Sequence, residues 1–307
     1  LPVGPLFVYG TLRHRPLLAT LARDLGAARA EEAALPGHRV LRQAEAPWPA
    51  LVPAPEGEAQ GTLWHGLPEE ARRHLDLFET PFGYEPRPVR VRTAAGEVEA
   101  DAYFPPEGLA VSGADWSLDA WVAGHAPATL LIAEEIAAHD PPLAGDALRR
   151  QWPMIAHRAW ARLRATGAPA TLRHDARPGD QAMRPTRPPQ GEFFKFGGFE
   201  VAHRRFDGGR NEGLRREVFS GADAALVLPY DPARDRVLLV EQWRAGPARR
   251  GDPQPWTLEP VAGLVDAGET PEEAAIRETE EEAGLRVADL TRMFAGYASP
   301  GNSTDHH

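Results

Sequence analysis

Gly263-Leu-Val-Asp-Ala-Gly-Glu-Thr-Pro-Glu-Glu-Ala-Ala-Ile-Arg-Glu-Thr-Glu-Glu-Glu-Ala-Gly-Leu285 is the most informative stretch of the chain. Its second half reads as a helix from local chemistry alone. Thr270 is a good N-cap, Pro271 suits the first helical position, and Glu273 completes a capping box. Gly284 is the natural left-handed stop. Ile276, Thr279 and Ala283 fall on one stripe, which is expected to pack on a sheet.

Three carboxylates then face away from that stripe. Glu278 and Glu282 lie about 40° apart in helical projection, with Glu281 beside them. Like charges at this spacing destabilise a helix by about 0.2–0.5 kcal/mol per pair. A hard divalent cation reverses the sign, and Mg²⁺ prefers oxygen ligands. Glu272, Glu273 and Glu280 read as an ordinary solvated acidic face.

With these residues in register, the segment resembles the Nudix box. Gly263, Glu269, Arg277, Glu278, Glu281, Glu282, Gly284 and Leu285 all match; Thr279 replaces the usual apolar residue. The resemblance implies Mg²⁺, with Mn²⁺ as a possible substitute, held chiefly by Glu278 and Glu282. Glu281 would be a further ligand or orient the water. The Ala262 carbonyl would be another ligand, and Glu269 would join the metal network or pair with Arg277. The metal's implied work is to neutralise a diphosphate, activate water and stabilise the leaving phosphate.

The flanking segments sharpen the resemblance. Ala202-His-Arg-Arg-Phe-Asp-Gly208, Leu214-Arg-Arg-Glu-Val-Phe219, Val240-Glu-Gln-Trp-Arg244 and Trp256-Thr-Leu-Glu-Pro-Val-Ala-Gly263 are similar in order and spacing to bacterial ADP-ribose pyrophosphatases. Pro300, 16 positions after Gly284, falls where that subfamily keeps a proline. By this resemblance Arg244 would contact a phosphate, its guanidinium being a rigid fork of donors. Phe206 and Arg216 would sandwich adenine, one from each subunit of a homodimer; alternatively Phe206 is core and Arg216 a strand-edge charge. Glu259 is either structural or a ligand contact. Such enzymes continue past the proline loop with further strands and a loop carrying a catalytic glutamate, so the domain reads as cut short, with its base expected beyond His307. The terminal His306-His307 pair carries little weight as a metal site.

At the other end, Leu6-Phe-Val-Tyr9 reads as a strand running into Gly10. The exposed amides of Gly10, Thr11 and Leu12 could hold a carboxylate or carbonyl oxygen. Short strands are expected at Pro49–Pro53, Gly61–Trp64 and Val89–Val91, with a helix over Pro68–Phe78. Phe7-Val-Tyr-Gly-Thr-Leu-Arg13, Pro49-Ala-Leu-Val52, Gly61-Thr-Leu-Trp64 and Leu75-Asp-Leu-Phe-Glu-Thr-Pro-Phe-Gly-Tyr-Glu-Pro-Arg87 resemble the γ-glutamylcyclotransferase-like family. In active members a glutamate at the position of Glu79 takes a proton from the substrate α-amine, which closes on its own γ-carbonyl to give 5-oxoproline. Tyr9 to Leu12 would hold that substrate. Thr80 stands where a glycine is usual, and a scaffold without the chemistry is an equal alternative.

Between these regions, Asp115 is expected to cap a helix from Trp116 to His125, followed by helices over Pro127–Ala138 and from near Pro153. Arg158, Arg162 and Arg164 are expected to face solvent. Gly167 to Gln190 has the composition of a Pro/Arg-rich linker. The expected organisation is a cyclotransferase-like domain over residues 1–110, a helical connector over 111–166, the linker over 167–190 and a Nudix domain over 191–307. The fold class is α+β: a small β-barrel, then helices, then a truncated α/β/α sandwich.

A net charge of -10 argues against nucleic acid or an anionic membrane as partner. The complete absence of cysteine removes disulfides, thiolate metal sites and cysteine nucleophiles, and suits the cytoplasm. No apolar run approaches the roughly 18 residues of a membrane span. The pairing of domains resembles bacterial tellurite-resistance-associated fusion proteins. Two readings follow: a hydrolase of a nucleoside diphosphate substrate with an accessory or second catalytic domain, or a non-catalytic ADP-ribose-binding sensor.

Overall fold

A computed structural model describes residues 4–171 and 174–307. The chain divides between Ala159 and Trp160 into two compact units, and its fold is α+β.

The first unit is built on β1 (Leu6–Val8), β2 (Arg29–Gln43), β3 (Pro49–His65), β4 (Glu85–Thr93), β5 (Gly96–Phe104) and β6 (Val111–Asp115). Strands run in the order β3-β1-β5-β4-β2, and β2 pairs again with β3. The sheet therefore closes into a five-stranded barrel, with β6 added beside β2. Only β1 and β5 pair in parallel among these strands.

Side chains alternate across a strand, and β1 is buried on both faces. Phe7 joins Leu35, Leu63, Val91 and Ala102 in one apolar cluster. Leu6 and Val8 join another with α1 (Arg15–Ala22), α2 (Glu69–Glu79), α3 (Leu118–Gly124), α4 (Ala126–Ala137) and α5 (Gly145–Ala165). Burying each such side chain contributes about 1.5–3 kcal/mol. Gly61 lies on β3 so close to Phe7 that a Cβ there would sit 2.5 Å from the ring.

Several expectations for this unit need correction. The two short strands expected around Pro49 and Gly61 are one continuous β3, and β2 had not been anticipated. Asp115 does not cap α3. It ends β6 and pairs with Arg39 at 2.7 Å, while Ser117 is the cap, accepting from the Ala120 N–H. α5 begins eight residues before Pro153, which lies inside it. Burial of Leu148 and Gln151 on the face that also buries Ile155 outweighs the proline's preference for a first turn. Arg158 is not on a solvated face: it is 4% exposed and donates from Nε to Glu135 Oε2 at 3.2 Å.

The second unit contains β7 (Gln181–Pro185), β8 (Lys195–Arg204), β9 (Arg210–Ser220), β10 (Ala224–Val227), β11 (Tyr230–Asp231), β12 (Arg236–Val237), β13 (Val240–Trp243), β14 (Trp256–Glu259) and β15 (Val261–Leu264), with α6 (Ala245–Arg250) and α7 (Pro271–Ala283). β7 falls within the expected linker and pairs with β8. Arg164, expected in solvent, donates from Nε to Asp223 Oδ2 at 2.8 Å.

α7 has the capping box that Thr270 and Glu273 predict, and Gly284 ends it at φ 64°. The packing stripe differs from expectation. Ala274, Ala275 and Thr279 are buried, whereas Ile276 is 46% exposed. Small residues let the helix settle against β10 and β15, and Ala225 of β10 with Val265, just past the end of β15, completes the cluster. Thr279 satisfies its hydroxyl by donating to Ala275 O at 2.7 Å.

Candidate functional site

Close packing of α7 brings its carboxylates to consecutive residues of β15. A Cβ on Gly263 would lie 1.9 Å from the Glu278 carboxyl carbon, so only glycine admits the glutamate there. One turn further, Glu282 Oε2 accepts from the Ala262 N–H at 3.3 Å, and its Oε1 accepts from Gln242 Nε2 at 3.2 Å.

Arg277 ties the rest together. Its Nε and NH2 donate to the two Glu269 oxygens at 3.0 and 2.9 Å, and NH2 also reaches Leu264 O at 3.0 Å. NH1 donates to Glu278 at 2.6 Å and to Glu281 at 3.3 Å. Hydrogen bonding to Glu269, then pairing with Glu278, holds the guanidinium charged well beyond its ordinary range. Glu269 thus pairs with Arg277 here. Glu269, Glu278 and Glu281 would repel one another without a counter-charge, and Arg277 supplies it.

The donor set suits a hard cation. Glu278, Glu281, Glu282 and the neighbouring Ala262 carbonyl offer only oxygens, the ligands that Mg²⁺ prefers. Among the described residues no three acidic or histidine side chains are gathered closely enough to hold a cation as they stand. Glu278 and Glu281 are instead engaged by Arg277.

Arg244 and Glu259 meet on the β13–β14 hairpin. Arg244 Nε reaches both Glu259 oxygens at 2.9 Å, and NH2 and Thr257 Oγ1 also donate to that carboxylate. Hydrogen bonding from Arg244 holds the Glu259 carboxyl below its usual range. Gln242 shares the strand face of Arg244 two residues away; period-two alternation could have singled it out.

Phe206 is not core. It projects from the β8–β9 turn at 96% exposure. Arg216 lies within β9 opposite Phe199, six residues beyond the start of that strand. Strand geometry therefore separates it from the turn by roughly 20 Å, and one copy of the chain does not bring the two together. Pro300 is exposed in a turn closed by the Asn302 N–H donating to Ser299 O at 3.1 Å.

In the first unit, Gly10 packs so tightly on Pro49 that a Cβ would lie 2.4 Å from its ring. Thr11 and Leu12 follow in a single 3-10 turn. Glu79, the last residue of α2, keeps partial solvent contact although protein surrounds its carboxyl. That burial, reinforced by the charge of Asp76, pushes its pKa up to about 8. Its charge acts in turn on Tyr9 and Tyr84, placing the carboxylate in their neighbourhood. Three hydrogen bonds fix the surrounding side chains: Tyr9 hydroxyl to Tyr103 O at 2.6 Å, Tyr103 hydroxyl to Asp76 at 2.6 Å, and Tyr84 hydroxyl to Pro49 O at 2.7 Å. Asp76, Tyr84 and Tyr103 had not been singled out from the sequence, although Asp76 stands one helical turn before Glu79.

Residues 6–118 match the family described as gamma-glutamyl cyclotransferase, AIG2-like, and residues 221–307 match the NUDIX domain. The chain carries both domains. Its Nudix region is similar to the ADP-ribose pyrophosphatase of Haemophilus influenzae, 42% identical over 111 residues, which are 36% of this chain and 51% of that protein. The Escherichia coli K12 ADP-ribose pyrophosphatase is also 42% identical, over 37% of this chain and 54% of its own length. A GDP-mannose pyrophosphatase of Yersinia enterocolitica is 36% identical over 32% of this chain and 51% of its own. The chain spans about half the length of these curated relatives. Among the described residues, no helix is long and apolar enough to cross a membrane.

Proposed function

We propose that the Nudix domain hydrolyses the diphosphate of a nucleoside diphosphate sugar, with ADP-ribose giving AMP and ribose 5-phosphate. The observation that carries this reading is the seating of Glu278 and Glu282 against Gly263 and Ala262, beside the Arg244–Glu259 pair. Glu278, Glu281, Glu282 and the Ala262 carbonyl would hold Mg²⁺, which when bound neutralises diphosphate charge and activates water. Arg277 keeps Glu278 and Glu281 compatible with one another before loading. Glu259 orients the Arg244 fork, leaving its remaining donor edge for a phosphate oxygen. Gln242 steadies Glu282.

Incubating the full chain with Mg²⁺ and a panel of ADP-ribose, GDP-mannose, diadenosine polyphosphates and 8-oxo-dGTP, with products followed by mass spectrometry, tests the proposal. AMP and ribose 5-phosphate are expected. Equal or better turnover of diadenosine polyphosphates or 8-oxo-dGTP overturns the substrate assignment. Binding of ADP-ribose without products favours a sensor.

The raised pKa of Glu79 beside Tyr9 favours a second activity in the AIG2-like domain. The Glu79 carboxylate would take a proton from the α-ammonium of a small γ-glutamyl amine. The freed nitrogen bonds to the γ-carbonyl carbon, the original amide C–N bond breaks, and the departing amine takes up the proton, leaving 5-oxoproline. Intramolecular attack benefits from proximity, so one base and a carbonyl-binding turn suffice.

A further inference from the structure

Arg164 lies outside both matched domains, yet it reaches the Nudix box. It stands in the last turn of α5, within residues 160–165, which belong to the second unit. Trp160 and Arg164 are one helical turn apart and so share a face. A Cβ on Gly268 would lie 3.8 Å from Trp160 Cζ2, and Gly268 turns at φ 87°. That face of α5 is therefore set against the turn leading from β15 into α7.

Arg164 holds this turn directly at one end and through Asp223 at the other. Its NH1 reaches Glu269 O at 3.4 Å. Its Nε donates to Asp223 Oδ2 at 2.8 Å, and the Asp223 carbonyl accepts from the Val265 N–H at 2.9 Å. Between these anchors the turn closes on itself. The Glu269 N–H donates to Asp266 O at 3.1 Å, and the Asp266 N–H donates to Glu269 Oε2 at 3.0 Å. The Arg164–Asp223 pair is largely withdrawn from water, at 23% and 13% side-chain exposure, so it is not the loosely held ion pair of an open surface.

Glu269 passes this constraint to Arg277. The Arg277 guanidinium gives Nε and NH2 to Glu269 and NH1 to Glu278 and Glu281. Were Glu269 to drift, that guanidinium would be free to settle on Glu278 and Glu281, where it competes with a cation for the same oxygens. We propose that Arg164 is a positioning residue for the Nudix box: by holding the Glu269 backbone it keeps Arg277 on Glu269, and so leaves Glu278 and Glu281 to a divalent cation. This role rests on the reading of Glu278 and Glu281 as cation ligands.

Titrating the full chain with Mn²⁺ in the absence of substrate, with free ion read by electron paramagnetic resonance, tests it. The parent should bind Mn²⁺. Arg164→Gln should weaken binding about tenfold or more, the scale on which residues that orient metal ligands act. Arg164→Lys keeps a charge for Asp223, but its single nitrogen cannot also hold Glu269 O, so binding should weaken about threefold or more. In both variants the Mg²⁺ concentration that half-activates ADP-ribose hydrolysis should rise in proportion, with kcat at saturating Mg²⁺ within about twofold of the parent. Parental Mn²⁺ affinity in Arg164→Lys overturns the proposal. So does parental affinity with fewer Mn²⁺ sites in Arg164→Gln, which is the result expected of a merely structural ion pair. A parent that binds no Mn²⁺ overturns the cation reading of the box, and this role with it. Thermal melts by circular dichroism set a temperature at which all three chains are folded.

Discussion

Glu278 occupies the space that a side chain on Gly263 would need: the carboxyl carbon is 1.9 Å from where that Cβ would stand. The glycine is thus part of the carboxylate's seat. Gly263→Ala should push Glu278 off β15 and lower ADP-ribose hydrolysis by about a hundredfold, the scale on which misplacing a reacting group by about 1 Å operates. Steady-state kinetics with Mg²⁺ and a thermal melt check this; unchanged kcat/KM would show that Glu278 need not sit there.

Glu282 and Glu273 share a helix but not a role. Glu282 reaches Ala262 and Gln242, while Glu273 closes the capping box with Thr270. Glu282→Gln should abolish hydrolysis with little change in melting temperature. Glu273→Gln should leave kcat intact, because the amide oxygen can still accept from the Thr270 N–H. Equal activity losses would mean that the wrong helix face has been assigned.

α7 was legible because its signals are local: a cap, a proline, a glycine stop and charge spacing all lie within one short segment. Its packing stripe was not. Ile276 is the most apolar candidate, yet close approach to β15 favours Ala275 and Thr279, and that depends on a distant strand. β2 escaped notice for a similar reason. Its Arg29-Ala-Glu-Glu opening looks polar, and only closure of the barrel against β3 and β4 makes it a strand. Arg158 read as solvent-facing because its counter-charge, Glu135, comes from another helix. The Arg244–Glu259 pair was foreseen as two separate residues, since sequence does not state which hairpin partners meet.

Glu79 should make stability depend on pH. Its folded pKa of about 8 is above the ordinary carboxylate value of 4.5, so the folded state binds more protons than the unfolded state between these limits. Stability should therefore fall as pH rises through that window and level off above it. Glu79→Gln should remove this slope, melting higher than the parent at pH 9 and no higher at pH 4. If the domain forms 5-oxoproline, the rate should climb with pH toward about 8 as the carboxylate ionises, and Glu79→Gln should stop it while leaving ADP-ribose hydrolysis unchanged. A flat difference in melting temperature across pH would show that the carboxyl is not buried as described.

Phe206 and Arg216 make the sharpest test of assembly. Within one copy Phe206 stands in the β8–β9 turn and Arg216 well inside β9, yet an aromatic ring and a guanidinium are suited to stack on either face of one adenine. The homodimer implied by the family resemblance would bring Phe206 of each copy over Arg216 of the other. Phe206→Ala and Arg216→Ala should then each raise KM for ADP-ribose at least tenfold in both sites of a dimer. In a mixed dimer, one site would carry both defects and the other neither. Unfolding and refolding the two variants together at equal amounts should therefore restore roughly a quarter of parental activity, since half the dimers are mixed and each has one intact site. Recovery no greater than the average of the separate variants would confine each adenine to a single chain, and sedimentation at the assay concentration would show whether dimers had formed at all.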